Sequence, residues 1–375
     1  MRIHVVSFNV PYPADYGGVI DVYYRLQALH RAGVEIDLHC FFYGRGEAPI
    51  LEKWCRKVYY YRRKTGLLHS IGLRPYIVTS RDSKQLLADL QKDDAPVLLE
   101  GLHCCAMLEH LDGSRVMVRA HNVEHDYYAM SADAESRPLK RLYLRLEALR
   151  LKRYEHVLLK AHAVFAVTEN DVNHFLSLGC KNVVLMPTSH IDSEVVSTPS
   201  PEDTKNRYVL YHADLSVAEN IQAVRYIASS VIPYINAPFV VAGRNPSPSV
   251  KHSLQGLQNV SLVANPDQHT MHNLIANAHV LFLVTNQPTG IKLKLLNSLY
   301  AGRHCLVNSP MVAGTRLGSV CSVADTPHEQ IQALERLLSE PFTEQEICRR
   351  RQFLGSLYSN DSNAQLVISL ASRLS

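Results

Sequence analysis

The chain has 375 residues, of which 46% are hydrophobic and 20% are charged, and its formal net charge is +4. This composition excludes a disordered or fibrous protein, and the length predicts two globular domains. The small net charge gives no reason to expect a nucleic-acid partner, although it is compatible with an anionic ligand or an anionic membrane face.

The sequence carries no pattern typical of export or membrane insertion. The first segment, MRIHVVSFNV, lacks a cleavage site and is interpreted as a strand. No apolar stretch approaches the ~20 residues of a membrane-spanning helix. The eight cysteines form no CxxC pair and are not spaced like a disulfide framework or a zinc site. We therefore expect a cytoplasmic protein with buried free thiols.

The first half alternates short apolar runs with longer helical patterns. The apolar runs predict strands at 2–9, 34–42, 96–100, 115–120, 163–167 and 182–186. The periodic segments predict helices at 18–32, 82–92, 137–160 and 169–178. This alternation is typical of a parallel sheet with helices on both faces.

Residues 193–207 break the pattern with Pro, Ser, Thr and charged residues, and they predict a linker. The alternation then restarts, with strands predicted at 208–212, 239–243, 259–263, 279–284 and 304–308. Helices are predicted at 217–236, 267–277, 291–301, 328–339, 343–357 and 361–374. We expect an N-terminal domain at 1–195, a second doubly wound domain at 205–355, and a helical segment at 356–375 that packs back on the first domain. Ligands of such sheets bind at the carboxyl ends of the strands, so a crevice between the domains is the expected site.

Two motifs in the first half follow predicted strands. Gly17 and Gly18 come after the first strand and open a helix, whose free N–H groups can hold a phosphate or sugar oxygen; the alternative is a plain turn. His121 is the first histidine after strand 115–120, in RAHNVEH. It can hydrogen-bond a sugar hydroxyl or support a developing charge, or it can simply cap the next helix. His125 lies four residues on, but HNVEH lacks the HExxH order and no third ligand is evident, so no metal site is expected.

The second half offers candidates at the ends of two predicted strands. His212 and Asn220 are polar groups in the turn and helix after strand 208–212. In the same segment Ser216 and Glu219 have the spacing of a capping box, which is the structural alternative. Gly243 and Arg244 end strand 239–243, where the arginine can clamp a diphosphate or remain an exposed loop residue.

The segment TGIKLKLLNSLYAGR has the most features expected of a phosphate site. A loop containing Thr289, Gly290 and Ile291 follows strand 279–284 and leads into a helix, whose N-terminus suits an anion. Lys292 and Lys294 bring positive charge to the same place. Leucines and a tyrosine at helical spacing predict that the other face of this helix lies in the core.

Residues 137–153 carry seven Lys or Arg residues interleaved with leucines. Leu142, Leu146 and Leu149 form one stripe, which favours a surface helix with a buried apolar face. The alternative is peripheral attachment to an anionic membrane, aided by a second basic cluster. That second cluster comprises Arg56, Lys57, Arg62, Arg63 and Lys64.

Taken in order, these motifs resemble those of GT-B glycosyltransferases of the retaining family-4 type. TGIKLKLLNSLYAGRHCLVN is similar to the family's G-x-K-x-K-x-L-E-A-x-A-x-G-x-P-V-V stretch, and HNVEH resembles the segment that carries its cleft histidine. The resemblance implies an α/β protein of GT-B architecture, in which two Rossmann-like doubly wound parallel-sheet domains face a cleft. The N-terminal domain would lie on the acceptor side and the C-terminal domain would bind the nucleotide-sugar donor.

The resemblance further implies a hexosyltransferase-type reaction in glycan or cell-surface polysaccharide synthesis. The sugar would move with retention, without metal or other cofactor, to an unknown glycan or lipid-linked acceptor. His121 would be catalytic. The donor-binding residues would be Gly17, Gly18, His212, Asn220, Gly243, Arg244, Thr289, Gly290, Ile291, Lys292, Lys294 and Asn297.

This chain departs from the family at two glutamates, whose places are taken by Thr289 and Asn297. Asn297 can still hydrogen-bond the ribose hydroxyls, but without charge. The family's Arg and Lys pair after the first donor-domain strand is missing from HADLSVAEN, which leaves the phosphate charge to Arg244, Lys292 and Lys294. Two alternatives stand beside the transferase. One is a GT-B-like nucleotide-sugar 2-epimerase, which would need carboxylates for acid–base work, and the motifs offer no persuasive pair of them. The other is a catalytically silent GT-B partner protein, which the replacement of the two glutamates suggests.

Overall fold

The computed structural model describes residues 1–66, 72–135, 137–191, 195 and 207–374. The chain divides into two compact units. The first comprises Met1–Asp192, Thr289–Ile291 and Leu357–Ser375, and the second comprises Ser193–Pro288 and Lys292–Ser356. Apart from Val195 and Arg207, the predicted linker lies outside the described residues.

The first unit is built on a parallel sheet. Its strands are β1 (Arg2–Ser7), β2 (Glu35–Phe42), β3 (Lys57–Arg62), β4 (Val97–Glu100), β5 (Val116–Arg119), β6 (Ala163–Ala166) and β7 (Val183–Leu185). Among the described residues they form one seven-stranded sheet in the order β3-β2-β1-β4-β5-β6-β7, with every neighbouring pair parallel. The inner strands are buried along their whole length, as expected for a sheet covered on both faces.

Helices connect these strands. They are α1 (Gly17–Arg31), α2 (Tyr76–Thr79), α3 (Lys84–Leu90), α4 (Glu124–Ala134), α5 (Pro138–Tyr154) and α6 (Glu169–Leu178). The start and end of α6 follow from its sequence. Thr168 and Asp171 form a capping box at its start, and Gly179 ends it in the left-handed conformation.

The second unit repeats the same plan. Its strands are β8 (Val209–Asp214), β9 (Phe239–Arg244), β10 (Val260–Ala264), β11 (Val280–Leu283), β12 (His304–Val307) and β13 (Ser322–Val323). Its helices are α7 (Ala218–Ser230), α8 (Pro248–Leu254), α9 (Gln268–Asn277), α10 (Leu293–Ala301), α11 (Ser309–Val312), α12 (Pro327–Ser339) and α13 (Glu344–Leu357). The strands described here form a six-stranded parallel sheet in the order β10-β9-β8-β11-β12-β13.

The last helix, α14 (Asn360–Ala371), belongs to the first unit and packs against α1. Asn360 is bonded to the backbone of His190, and Asn363 donates to the carbonyl of Pro187. Arg31 on α1 pairs with Asp361. The side chains of Val367 and Leu370 join the apolar core of the sheet.

Each sheet has a point where the strand order reverses. In the first unit this point lies between β1 and β4, and in the second it lies between β8 and β11. Doubly wound sheets bind ligands outside the carboxyl ends of the strands at such points. The two places to search for function are therefore the ends of β1, β4 and β5, and the ends of β8, β9 and β11.

The predicted fold class of doubly wound parallel sheets is confirmed, and most predicted elements match within a few residues. Several short elements were not predicted: β3, β13, α2, α4, α8 and α11. Residues of the second basic cluster lie on and beside the edge strand β3, where Arg56 pairs with Asp37. All eight cysteines are unpaired, and six of them are buried as expected, while Cys321 is half-buried and Cys348 is exposed.

The interpretation of α5 as a helix with a buried leucine stripe is wrong. Leu139, Leu142, Leu146 and Leu149 are 47–83% exposed. The buried residues of α5 are Glu147, Ala148 and Leu151, on the opposite face. The helix therefore presents apolar side chains outward. No helix of the described chain is long and apolar enough to cross a membrane.

Candidate functional site

The strand ends of the first unit enclose a buried cluster of charges. Arg25 on α1 bonds Glu100 at the end of β4 with Nε–Oε1 at 2.9 Å, and it bonds Asp21 with Nη2–Oδ2 at 2.6 Å. Arg119 at the end of β5 bonds the same Asp21 oxygen at 3.0 Å. The other oxygen of Asp21 accepts the backbone N–H of Ser189 at 2.6 Å. The arginines outweigh the effect of burial, which raises the pKa of Asp21, and hold that pKa well below its ordinary value.

His121 joins this cluster through both ring nitrogens. Its Nδ1 lies 3.2 Å from Oδ2 of Asp21, and its Nε2 lies 3.1 Å from Oε2 of Glu100. Burial lowers the pKa of His121, but the two carboxylates outweigh burial and raise it above its ordinary value. The two carboxylates therefore favour the positively charged form of this histidine beside the strand ends.

Gly17 and Gly18 open α1, as predicted. The N-cap residue, Tyr16, makes no side-chain hydrogen bond to the helix N-terminus. A Cβ atom at Gly18 would lie 2.7 Å from Cζ of Phe8, so the glycine is required by the aromatic ring that follows β1. That ring also packs against His121 and His103, at centroid distances of 5.4 and 5.2 Å.

A cavity of about 490 Å³ lies beside these strand ends in the first unit. It is lined by the loop after β1, including Tyr12 and Asp15, and by the loop after β2, from Gly44 to Ile50. Arg45 connects the two loops because it donates to the carbonyl of Pro13 and pairs with Asp15. This cavity could not be predicted from the sequence, because it depends on β1 and β2 being neighbours in the sheet.

The strand ends of the second unit carry a different cluster. Nζ of Lys294 donates to Oδ1 of Asn220 at 2.9 Å and lies 5.2 Å from the ring centroid of Tyr211. Asn220 in turn donates to the backbone carbonyl of Asp214 at 2.9 Å. The structure thus brings together Lys294 and Asn220, which the sequence placed 74 residues apart.

Glu219 contributes to this cluster, a role that was not predicted. The capping box of Ser216 and Glu219 is wrong: α7 starts at Ala218, Ser216 donates to Asp214, and Glu219 accepts from the hydroxyl of Thr285. Thr285 is the second residue after the end of β11, and it was not predicted as a residue of this cluster either. No local pattern could indicate this pair, because the neighbouring positions of β8 and β11 bring it together.

Both lysines of this cluster are half-buried, and burial is the main cause of their shifted pKa values. Burial lowers the pKa of Lys294 from 10.5 to about 8, although Glu219 opposes the shift. Burial also lowers the pKa of Lys292, again against the effect of Glu219. Lys292 is the N-cap of α10 and supplies no side-chain cap. The N-terminus of α10 therefore carries two lysines whose charged forms cost free energy to bury.

The remaining predicted residues lie in different surroundings. His212 is buried, and its Nε2 is 2.8 Å from the hydroxyl of Ser298, so it is enclosed by the second unit. Arg244 is mostly exposed, 3.7 Å from Asp214. Gly243 sits tightly over the carbonyl of Ala213. Asn297 is a half-buried residue of α10.

The loop residues Thr289, Gly290 and Ile291 group with the first unit. Gly290 has a φ of 65°, in the left-handed region that glycine adopts without strain. The loop therefore groups with a different unit from Lys292 and Lys294, although all five residues belong to one motif in the sequence.

Comparisons with known proteins were made for sequence and for structure. No family model matches the chain. A protein of Klebsiella pneumoniae, described as an uncharacterized 44.6 kDa protein in the cps region, is 24% identical over 339 residues. The match covers 85% of this chain and 84% of that protein.

Solved structures resemble the whole chain. Sucrose-phosphate synthase of Thermosynechococcus elongatus matches with a TM-score of 0.70 at 13% identity, covering 100% of this chain and 98% of its own. Anabaena HepE, solved in complex with UDP and glucose, matches with a TM-score of 0.61 at 12% identity and covers 100% of both chains. These likenesses show the fold, which is the GT-B architecture of glycosyltransferases.

Proposed function

We propose that this chain is a glycosyltransferase that takes its sugar from a nucleoside diphosphate donor bound by the second unit. The observation that carries the proposal is the pair of half-buried lysines, Lys292 and Lys294, at the N-terminus of α10 and beside the strand-order reversal. The structure of HepE with UDP and glucose supports a nucleotide donor in a protein of this fold.

The physical argument is one of compensation. A buried ammonium group costs free energy unless an anion pairs with it. Among the described residues Lys294 bonds the neutral groups Asn220 and Tyr211, and burial outweighs the opposing effect of Glu219 on its pKa. A diphosphate would supply the missing negative charge and would also accept from the N–H groups of the first turn of α10. Arg244, exposed at the end of β9, adds a third cation on the same sheet edge.

We propose retention of the anomeric configuration, without a metal ion. The bond between the sugar C1 and the diphosphate oxygen breaks, and a bond from C1 to the acceptor oxygen forms on the same face. The acceptor proton passes to the leaving diphosphate oxygen. Lysines and backbone N–H groups neutralise the charge that develops on the diphosphate.

His121 acts in this proposal as a fixed cation and not as a base. Asp21 and Glu100 lie within 3.2 Å of its two ring nitrogens and raise its pKa, so we assign it the role of a positive charge and not of a proton acceptor. We assign the acceptor to the first unit, where the cavity between the loops after β1 and β2 offers polar groups at Asp15 and Arg45. The acceptor is a glycan or a lipid-linked glycan of unknown structure.

The exposed face of α5 supports a location at an anionic membrane surface on the cytoplasmic side. Leu139, Leu142, Leu146 and Leu149 recur at helical spacing and point away from the buried face. Arg141, Arg145 and Lys152 recur with spacings of four and seven residues and flank this stripe. An apolar stripe flanked by cations is typical of a helix that lies in a bilayer interface. Each basic residue near an anionic surface contributes about 1 kcal/mol.

Co-sedimentation of the full chain with vesicles tests this location. We expect binding to vesicles containing phosphatidylglycerol at low salt and release at high salt. Leu142→Ser together with Leu146→Ser should abolish binding, whereas Leu176→Ser, at an exposed position on α6, should not. Equal binding of all three proteins, or equal binding to neutral vesicles, would contradict the proposal.

Transfer itself is tested with a panel of UDP- and GDP-sugars. A thermal-shift screen with UDP and GDP identifies the nucleotide, because a ligand that binds only the folded chain raises its melting temperature. Product analysis then separates three outcomes. Transfer to an acceptor supports the proposal, a C2 epimer of the donor sugar shows the epimerase, and binding without turnover shows the silent partner. No stabilisation by any nucleoside diphosphate would overturn the donor site.

A further inference from the structure

A second group of chemically matched side chains lies in the first unit, away from the strand-end cluster. His125 is in the first turn of α4, Glu155 directly follows α5, and His174 is on α6. Oε2 of Glu155 lies 2.7 Å from Nε2 of His174 and 3.5 Å from Nδ1 of His125. One atom from each of the three residues lies within 4.8 Å of the others.

Two features distinguish this group from an ordinary ion pair. Nδ1 of His125 is buried and has no hydrogen-bond partner among the described residues. The carboxylate of Glu155 is 3% exposed, and no lysine or arginine of the described chain pairs with it. An orphaned imidazole nitrogen and a carboxylate lacking a fixed cation therefore face one another in a confined space.

The other ring nitrogen of His125 is placed as metal-binding histidines require. Its Nε2 lies 3.4 Å from Oδ1 of Asp126. Histidines that ligate a metal through one nitrogen usually donate the other N–H to a carboxylate, which fixes the tautomer. With the proton on Nε2, the lone pair is on Nδ1, which lies 3.5 Å from Oε2 of Glu155.

The strand-end cluster provides an internal comparison. Asp21, Glu100 and His121 also lie within metal-binding reach of one another. Their carboxylates, however, are already paired with Arg25 and Arg119, whose positive charges would repel a cation. Among the described residues no such arginine pairs with Glu155, so of these two groups the one around Glu155 is suited to a divalent ion.

We propose that His125, Glu155 and His174 bind one transition-metal ion, with Zn²⁺ the best match, and that the ion ties together α4, the end of α5 and α6. Two imidazoles and one carboxylate are a ligand set that zinc accepts in tetrahedral geometry, with a water in the fourth position. At bond lengths of about 2.0–2.2 Å two ligand atoms of a tetrahedral site lie about 3.4 Å apart, so the Glu155–His174 contact of 2.7 Å must open by about 0.7 Å. The site is separate from the proposed transfer reaction, and its metal has a structural role.

The test uses the full chain, dialysed against a chelator and then titrated with ZnCl₂ by calorimetry. We expect about one equivalent of Zn²⁺ to bind and to raise the melting temperature. CoCl₂ should give the intense visible absorption of a tetrahedral site. His125→Phe keeps the ring but removes the nitrogens, and it should weaken Zn²⁺ binding at least tenfold; Glu155→Gln should do the same.

The control is His156→Asn, an exposed histidine beside Glu155, which should bind Zn²⁺ like the wild type. Because Nδ1 of His125 makes no hydrogen bond, His125→Phe should fold normally, and its circular dichroism and metal-free melting temperature verify this. Equal Zn²⁺ affinity in wild type and His125→Phe, or an octahedral cobalt spectrum, would overturn the proposal. Nucleotide binding in the same proteins is measured separately, so failure of the metal site leaves the transferase proposal untouched.

Discussion

Replacing Lys294 by methionine should make the unliganded protein more stable and its donor binding weaker. Methionine keeps most of the length and apolar volume of the side chain while removing its charge. The lowered pKa, from 10.5 to about 8, corresponds to roughly 3 kcal/mol of destabilisation of the charged form in the folded chain. The substitution removes that cost.

Part of the gain is offset by lost contacts. The hydrogen bond from Nζ to Oδ1 of Asn220 and the contact with the ring of Tyr211 disappear, at a cost of about 1–2 kcal/mol. The hydroxyl of Tyr211, 3.4 Å from the same oxygen, keeps Asn220 partly satisfied. We therefore expect Lys294→Met to raise the free energy of unfolding by about 1–2 kcal/mol. Its affinity for the nucleoside diphosphate should fall about 10- to 100-fold.

The difference in unfolding free energy between Lys294→Met and the wild type should depend on pH in a defined direction. The folded-state pKa of Lys294 lies below its unfolded value, so between pH 8 and 10.5 the unfolded chain holds more protons at this group. The stability contributed by this group therefore rises with pH. The advantage of Lys294→Met should shrink over that range and then reverse, because the cost of burying the charge disappears while the loss of the contacts with Asn220 and Tyr211 remains. Urea unfolding at pH 7, 8.5 and 10 measures it, and calorimetry measures nucleotide affinity. Lys251→Met, at an exposed position on α8, is the control. A variant that is less stable than the wild type at pH 7 and has unchanged nucleotide affinity would refute the reasoning.

Three further predictions concern other groups. His121→Ala should lower the free energy of unfolding by about 3 kcal/mol, because Asp21 and Glu100 lose a buried cation, and turnover should fall at least tenfold; unchanged turnover would make the histidine purely structural. Burial lowers the pKa of both His39 and His212 to about 3, so stability is full above pH 6.5 and is lost as the pH falls toward 3. The expected loss is about 2 kcal/mol per histidine at pH 5, and equal urea midpoints at pH 7 and 5 would contradict it. Transfer should persist in EDTA, and activity restored only by Mg²⁺ or Mn²⁺ would exclude the metal-free reaction.

The strands could be predicted closely because parallel strands buried on both faces appear as unbroken apolar runs. β4, with its four buried residues, and β12 are examples. α4 escaped prediction because its sequence, EHDYYAMSADA, has almost no apolar periodicity. The prediction for α5 was wrong although its leucines have a clear helical periodicity, because these leucines are exposed. A leucine stripe at helical spacing reports an apolar face but not whether that face is covered.

The candidate site was predictable only where its residues are strand ends or helix starts. Lys292 and Lys294 could be found because a turn leads into a helix. The partnership of Glu219 with Thr285 could not, because it depends on β8 and β11 being neighbours in the sheet. The surroundings of His212 could not be predicted either. Successive side chains of a strand point to opposite faces of the sheet, and the sequence does not show that His212 points toward Ser298.

The buried cations of the two clusters are neutralised by carboxylates to different extents, and this difference indicates which cluster is suited to bind an anion. In the first unit the guanidinium of Arg25 is bonded directly to carboxylates, and these outweigh the effect of burial, so that its pKa is raised. Such a group is already neutralised and gains little from a ligand. In the second unit burial lowers the pKa values of Lys292 and Lys294, and the opposing effect of Glu219 is too small to restore them. A buried positive charge that costs free energy in the folded protein gains more from pairing with a diphosphate than a charge that carboxylates already neutralise. The residues that make the second unit less stable without ligand are therefore those expected to hold the donor.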